Sequence, residues 1–278
     1  YTPDNWYDEV FHSSFRQEYN ANVTGSNGKM NYFASAGYLQ DGGIVDNSEL
    51  KRYTARTTVD YQAKKWLKLS TGLSFTHTDS QSPQYDVNTY GSSGNLFYIT
   101  NNIAPIYPLY VRNADGSIKT EGGRVIYDAN QTGFQRPAIT GNAVRDNEYN
   151  SSHSYRDILQ GQWDVQITPI EGLILDANLN AFSSNTRAND LASAFASGQA
   201  DDGEASVSAN RYFTVNQRYT VNYDKSLGDH HFNILAGYEQ YKLKYQYLSG
   251  SNTRLYDPFI GELGNAFGTS KKKNNSFT

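Results

Sequence analysis

Three groups of side chains in this sequence have the types that chemistry uses. Histidines stand at 12, 77, 153, 230 and 231, and none has nearby carboxylates at a metal-ligand spacing. The adjacent pair His230-His231 would point to opposite sides of an extended backbone and chelate poorly. Asp201-Asp202-Gly203-Glu204 gathers carboxylates without the alternating oxygen spacing of a calcium loop, so it reads as a solvated loop tip. Asp8-Glu9 is the nearest approach to an acid/base pair. Glycoside hydrolysis needs two carboxyls about 5–9 Å apart across a cleft, which adjacent residues seldom supply. No nucleophile elbow or phosphate loop is present. Cysteine is absent, which removes thiolate ligands, thiol nucleophiles and disulfide staples. The sequence predicts no enzyme, no metal and no cofactor.

What remains is a set of polar side chains spaced by two. In Lys51–Ala63, Arg52, Arg56 and Asp60 share one side, while Tyr53, Ala55, Thr57, Val59, Tyr61 and Ala63 share the other. Strand side chains alternate between faces, so this is a sheet with one apolar and one richly polar surface. Asp164, Asp176 and Asn178 repeat the pattern opposite two later apolar bands, Leu159–Ile167 and Leu173–Ala181. Arg52, Arg56, Asp60, Asp164, Asp176 and Asn178 are therefore the candidate site residues, facing a water-filled lumen if the sheet is a membrane barrel and solvent if it is one layer of a soluble sandwich. For Arg52, Arg56 and Asp60 the simpler competing reading is a ladder of cross-strand ion pairs. Leu69, Leu73, Phe75, Trp163, Val165 and Leu175 are expected to face lipid.

The elements that carry these residues come in pairs. Strands are predicted at 17–25, 30–39, 51–63, 67–78, 154–168, 173–184, 210–225 and 231–248, after an irregular lead-in over 1–16 with a helical turn near 5–11. The joints Ser26–Lys29, Lys64–Trp66, Pro169–Gly172 and Leu227–His230 have tight-turn chemistry. The joints 40–50, 79–153 and 185–209 are long and polar, and 249–278 reads as a loop or tail. The longest, 79–153, is expected to hold folded structure of its own, including a short helix at 95–102 and a turn at 113–116. Short turns at one end and long loops at the other are the asymmetry of outer-membrane barrels, with the turns periplasmic and the loops extracellular.

Composition narrows the class further. The chain has 278 residues, a formal net charge of −4 and 37% hydrophobic residues, with a mean hydropathy of −0.69. Acidic and basic residues are interspersed, so nucleic acid is not an expected partner. No apolar run approaches the ~18–20 residues of a transmembrane helix. The 23 tyrosines suit either a membrane interface or simply good strand formation.

Several segments resemble the SusC/RagA-like branch of TonB-dependent outer-membrane transporters. They run from Trp6-Tyr7-Asp8-Glu9-Val10-Phe11 through Gln17, Glu18 and Tyr19 to Val23–Lys29 and Tyr32–Tyr38. Gly43-Ile44-Val45, Lys51-Arg52-Tyr53 and Arg56 follow, then Asn102–Pro108 with the turn Asp115-Gly116. A later hairpin, Gly228–Leu235 leading into Gly237-Tyr238-Glu239, is also similar. Ser26 and Gly42 depart from the usual residues at turn and loop positions.

The resemblance implies an all-β, antiparallel transmembrane β-barrel segment, about eight strands of a larger, 22-stranded barrel. It implies a plug domain, energy from TonB, a SusD-like lipoprotein partner, and import of a glycan or peptide across the outer membrane of Bacteroidota-type bacteria. Eight strands cannot enclose so wide a lumen, so the sequence is expected to be a fragment. The alternatives are a soluble secreted β-sandwich that binds carbohydrate and a complete eight-stranded outer-membrane barrel or adhesin.

Overall fold

The computed structural model describes residues 3–83, 96–128, 141–196, 202–268 and 270–277. Among them one antiparallel sheet dominates, and its neighbours follow chain order. Its strands are β1 (Arg16–Ser26), β2 (Met30–Gly42), β3 (Glu49–Lys64), β4 (Leu67–Ser82), β7 (Ser151–Ile170), β8 (Leu173–Ala192), β9 (Glu204–Leu227), β10 (His230–Thr253) and β11 (Lys271–Phe277). The β4–β7 connection holds a two-stranded ribbon, β5 (Thr120–Glu121) and β6 (Arg124–Val125), and two short helices, α2 (Leu96–Asn102) and α3 (Ala143–Tyr149). Helix α1 (Trp6–Val10) precedes the sheet, capped by the Asn5 side chain accepting from the Tyr7 amide.

The up-and-down meander is the expected barrel wall, and it stays open, with β1 and β11 at its two edges. A sandwich would hide the apolar face. Here Leu73, Leu159, Ile234 and Tyr238 are exposed at 43, 55, 62 and 61%, with no second large sheet among the described residues. The eight expected strands are all present, and a ninth joins them. Lys271–Phe277 pairs with Tyr245–Ser251, where a loop or tail was expected; its Lys-Lys-Lys-Asn-Asn run has no alternation to announce a strand.

The strands also outrun their predicted ends. Residues 185–192 and 204–209, predicted as loop, continue β8 and β9, so that connection shrinks to 193–203. Likewise β7 begins at Ser151 and β4 ends at Ser82. Backbone pairing needs no apolar side chain, so a ladder continues where both faces are wet and hydropathy no longer alternates.

Successive hairpins are staggered. They close at Ser26–Asn31, Lys64–Leu67, Ile170–Leu173 and Leu227–His230. Followed through the register, the last lies about nine residues beyond the first, across six strand spacings. At ~3.3 Å per residue and ~4.8 Å per strand this is a tilt of about 45° if the turns end at one level, as closed barrels require. Gly172, at φ +82°, makes one of these tight turns possible, with the Asp224 carbonyl packed where a Cβ would stand.

The apolar core sits in the long-loop head and not under the sheet. Trp6, Val10, Val45, Leu96, Ile99, Leu109 and Ala143 pack together there. A smaller cluster, Leu191, Ala205 and Leu255, seals the far ends of β8 and β9.

Candidate functional site

All six predicted site residues lie on one face of the sheet. Register places Asp60 opposite Ser70, Ser70 opposite Asp164, Asp164 opposite Asn178 and Asn178 opposite Arg218, which stands opposite Glu239. This polar row crosses six adjacent strands. Ser70 donates to Asp60 at 2.5 Å, Asn178 to Asp164 at 3.3 Å, Asn180 to Asn178 at 2.5 Å and Asn216 to Glu239 at 2.7 Å. Asp176 lies two residues away on β8, opposite Gln166 and Thr220. Such a surface offers carboxylates, amides and guanidinium groups at regular spacing, suited to transient hydrogen bonds with a polar solute.

The ion-pair ladder given as the competing reading for β3 is absent among the described residues. Arg56 faces Ser35 and Ser74, Arg52 faces Leu39 and Thr78, and Asp60 faces Asn31 and Ser70. Hydroxyls, an amide and a leucine stand where carboxylates would be needed. Alternation along one strand reveals the face but not the cross-strand partner, and the register decides the partner. Among the described residues no group of three or more His, Asp and Glu could hold a metal ion.

Above this row the long loops form a head that sequence reasoning located only in part. Helix α2 starts at Leu96 within the predicted 95–102; Asn95 and most of 79–95 lie outside the described residues. The predicted turn at 113–116 forms, with Gly116 donating to the Asn113 carbonyl and Arg112 bridging Ile118. Asp4, almost fully buried, accepts from the Leu109 amide at 2.7 Å and from Tyr110 at 3.3 Å, and it pairs with Arg112. Asn142, fully buried, donates to the Leu109 and Asp128 carbonyls and caps α3 by accepting from the Arg145 amide. Trp6 Nε1 donates to the Tyr107 carbonyl at 3.0 Å.

The head also carries an aromatic cluster drawn from separate loops. The Arg124 guanidinium lies 4.6 Å from the ring centres of both Phe195 and Phe259, and Tyr149 packs on the same two rings. Tyr110 and Tyr127 pack together at 5.2 Å, with hydroxyls donating to Glu9 and Glu148. Burial, then these carboxylates, push both phenols well above their usual range. They are neutral donors at physiological pH. Sequence spacing could not reveal this cluster, because its members come from connections at 120–127, 149, 195 and 259.

At the rim, His12 Nε2 lies 2.7 Å from Asp46. That hydrogen bond raises the imidazole above its ordinary value of 6.5. Below pH 6.5 the stabilisation is fully present, and it is lost as pH rises through the raised folded-state value. The His12 resonance is expected to titrate above 6.5, and Asp46→Asn to bring it back. An unshifted titration in the unsubstituted protein would refute the contact.

No protein-family model matches this sequence. Two relatives do, both from Formosa agariphila. TonB-dependent receptor P3 is 23% identical over 242 residues, covering 86% of this chain and 23% of that protein. TonB-dependent receptor P26 is 22% identical, covering 83% and 21%. The chain thus spans under a quarter of the length of the curated relatives it matches. Among solved structures, the RagAB peptide transporter superposes on 99% of this chain and 30% of its own, with a TM-score of 0.73 at 19% identity. The RagAB peptide importer in the "closed-closed" state gives 0.69 at 22%, with the same coverage. Over most of its length the chain is thus similar to TonB-dependent receptors, and its fold is that of part of the RagAB structures.

A sheet of this kind in an outer-membrane barrel needs no second layer over its apolar face. The only packed cores among the described residues are those of the loop head and the strand ends.

Proposed function

We propose that this segment forms part of the wall of a TonB-energised importer in the outer membrane. In this reading Arg52, Arg56, Asp60, Asp164, Asp176 and Asn178 line the lumen, and the opposite face, including Leu73, Phe75 and Trp163, meets lipid. The observation that carries it is the polar row from Asp60 to Glu239 across six strands, backed by an exposed apolar face. Lipid accepts the second surface and a water-filled lumen the first. The imported solute is a glycan or a peptide. The structural likeness to a peptide transporter favours peptide, and the polar wall offers both backbone-like donors and acceptors. A SusD-like lipoprotein is the proposed partner on the long-loop side, where the head presents Phe97, Ile106 and Tyr256 to solvent.

The test is uptake by cells that carry the whole receptor. Deleting its gene should abolish growth on oligopeptides as sole nitrogen source, and removing TonB should do the same. Unchanged uptake without TonB would replace the importer with a passive pore. Growth lost on oligosaccharides but kept on oligopeptides would reverse the substrate preference.

A further inference from the structure

The outward face changes character toward the long-loop end. A groove of about 650 Å³ opens there, lined by His77, Tyr155, Asp157, Arg187, Arg211 and Gln246 among others. His77 Nδ1 lies 2.6 Å from Asp157, and Arg187 donates two hydrogen bonds of 3.0 Å to Glu262. Both acids are thereby engaged. Arg211, Lys242 and Lys244 make no ion pair among the described residues, and all three are exposed.

Their register shows that they are not scattered. Arg187 faces Ala209, and Arg211 lies two residues nearer the tight turns on β9; Arg211 faces Gln246, and Lys244 lies two residues nearer again on β10. The line through Arg187, Arg211 and Lys244 therefore falls about two residues per strand, close to the stagger of the hairpins. On strands tilted about 45°, these three cations stand at nearly one height. Lys242 lies just below them. On β4, β7 and β10 the apolar band ends beneath this line, at Phe75, Leu159 and Tyr238, followed by His77, Asp157 and Gln240. On β9 Phe213 carries it to two residues from Arg211, and Leu248 is a separate exposed apolar side chain above Lys244. At ~3.3 Å per residue along tilted strands, the cations stand roughly 5–14 Å above the last apolar residues of their own strands, at the level of lipid headgroups.

We propose that this groove and the surface just below it bind the phosphate-bearing headgroup of an outer-leaflet lipid, with Arg211 in the groove and Lys244 and Lys242 beneath it as the cationic contacts. The inference rests on the reading that the apolar face meets lipid. Guanidinium and ammonium groups are the side chains that hold phosphate, the first by paired hydrogen bonds and the second as a point charge. A groove open to the bilayer side and continuous with the apolar band lets acyl chains lie on Leu159 and Phe213 while the headgroup reaches the cations.

The test uses the whole receptor in nanodiscs containing lipid A or the same lipid with its phosphates removed. Native mass spectrometry should show lipid A retained at least tenfold more than the dephosphorylated form. The triple variant Arg211→Gln, Lys242→Gln, Lys244→Gln should abolish that preference, while Arg52→Gln with Arg56→Gln on the opposite face leaves it intact. Equal retention of both lipids by the unsubstituted receptor would overturn the proposal, as would loss of preference in the opposite-face control. A spin label at Gln246→Cys, which requires no charge removal, should broaden the lipid phosphorus signal severalfold more than one at Leu69→Cys. If the Leu69 label is reached by lipid-soluble oxygen but the Gln246 label leaves phosphorus unbroadened, the headgroup site fails and the orientation stands. If the Leu69 label is shielded from lipid, the orientation itself has failed.

Discussion

Replacing Asp4 by alanine is expected to dismantle the loop head while leaving the sheet intact. Its carboxylate is almost fully buried and accepts from two backbone amides, Leu109 and Tyr110, besides pairing with Arg112. Truncation would take the charge partner from a guanidinium whose side chain is only 25% exposed, leaving it the Gly116 carbonyl, and would strand two amide donors. Removing one partner of a buried pair costs about 3–5 kcal/mol. That is a large share of what a head with seven fully buried apolar residues can hold. In the whole receptor, amides 109–112 should lose most of their hydrogen-exchange protection in Asp4→Ala, and Asp4→Asn should fall between, since an amide oxygen still accepts but carries no charge. Protection unchanged within ~0.5 kcal/mol would show that the network is ornamental to the head. The strands should keep their protection in either case, because their ladder hydrogen bonds do not pass through Asp4.

The second large effect separates the two faces of β4. Leu73 is 43% exposed near the middle of the apolar band, opposite Thr57 and Gly161. Leu73→Arg should destabilise the whole receptor in lipid vesicles by about 2–4 kcal/mol, the cost of an arginine at the bilayer midplane. Ser70→Arg, three residues away on the opposite face, points between Asp60 and Asp164. It should cost less than ~1 kcal/mol, since the new charge meets two carboxylates in a wet environment. Equal losses for the two variants, measured by reversible unfolding in lipid, would remove the assignment of faces. The contrast is sharper than either value alone, because both substitutions introduce the same side chain into the same strand.

The apolar band, the polar face and the tight turns were legible in the amino-acid order. Each is a local signal: two-residue alternation in Lys51–Ala63, Leu67–Phe75 and Leu173–Ala181, and glycine at the turns Ser26–Lys29, Pro169–Gly172 and Leu227–His230. These suffice to say that the chain forms an antiparallel wall with one face fit for lipid. They fall silent where both faces are wet, which is why residues 185–192 and 204–209 read as loop although their backbones stay paired. A strand there is held by its neighbours' amides and carbonyls, and its side chains carry no record of it. For the same reason Lys271–Phe277 gave no sign of pairing with β10.

Partnership across the sheet belonged to the tertiary structure alone. Arg56 could be placed on its face from sequence, but that it meets Ser35 and Ser74 and not a carboxylate depends on the register of β2 and β4. The same holds for the cations at 187, 211 and 244, which lie far apart in sequence. They share a height only because the strands that carry them are staggered. It holds most fully in the head, where Arg124 rests on Phe195 and Phe259, rings 71 and 135 residues along the chain. Periodicity is a property of neighbours in sequence, and it fixes which way a side chain points. What that side chain meets depends on closing loops dozens of residues long, and no local pattern encodes their geometry.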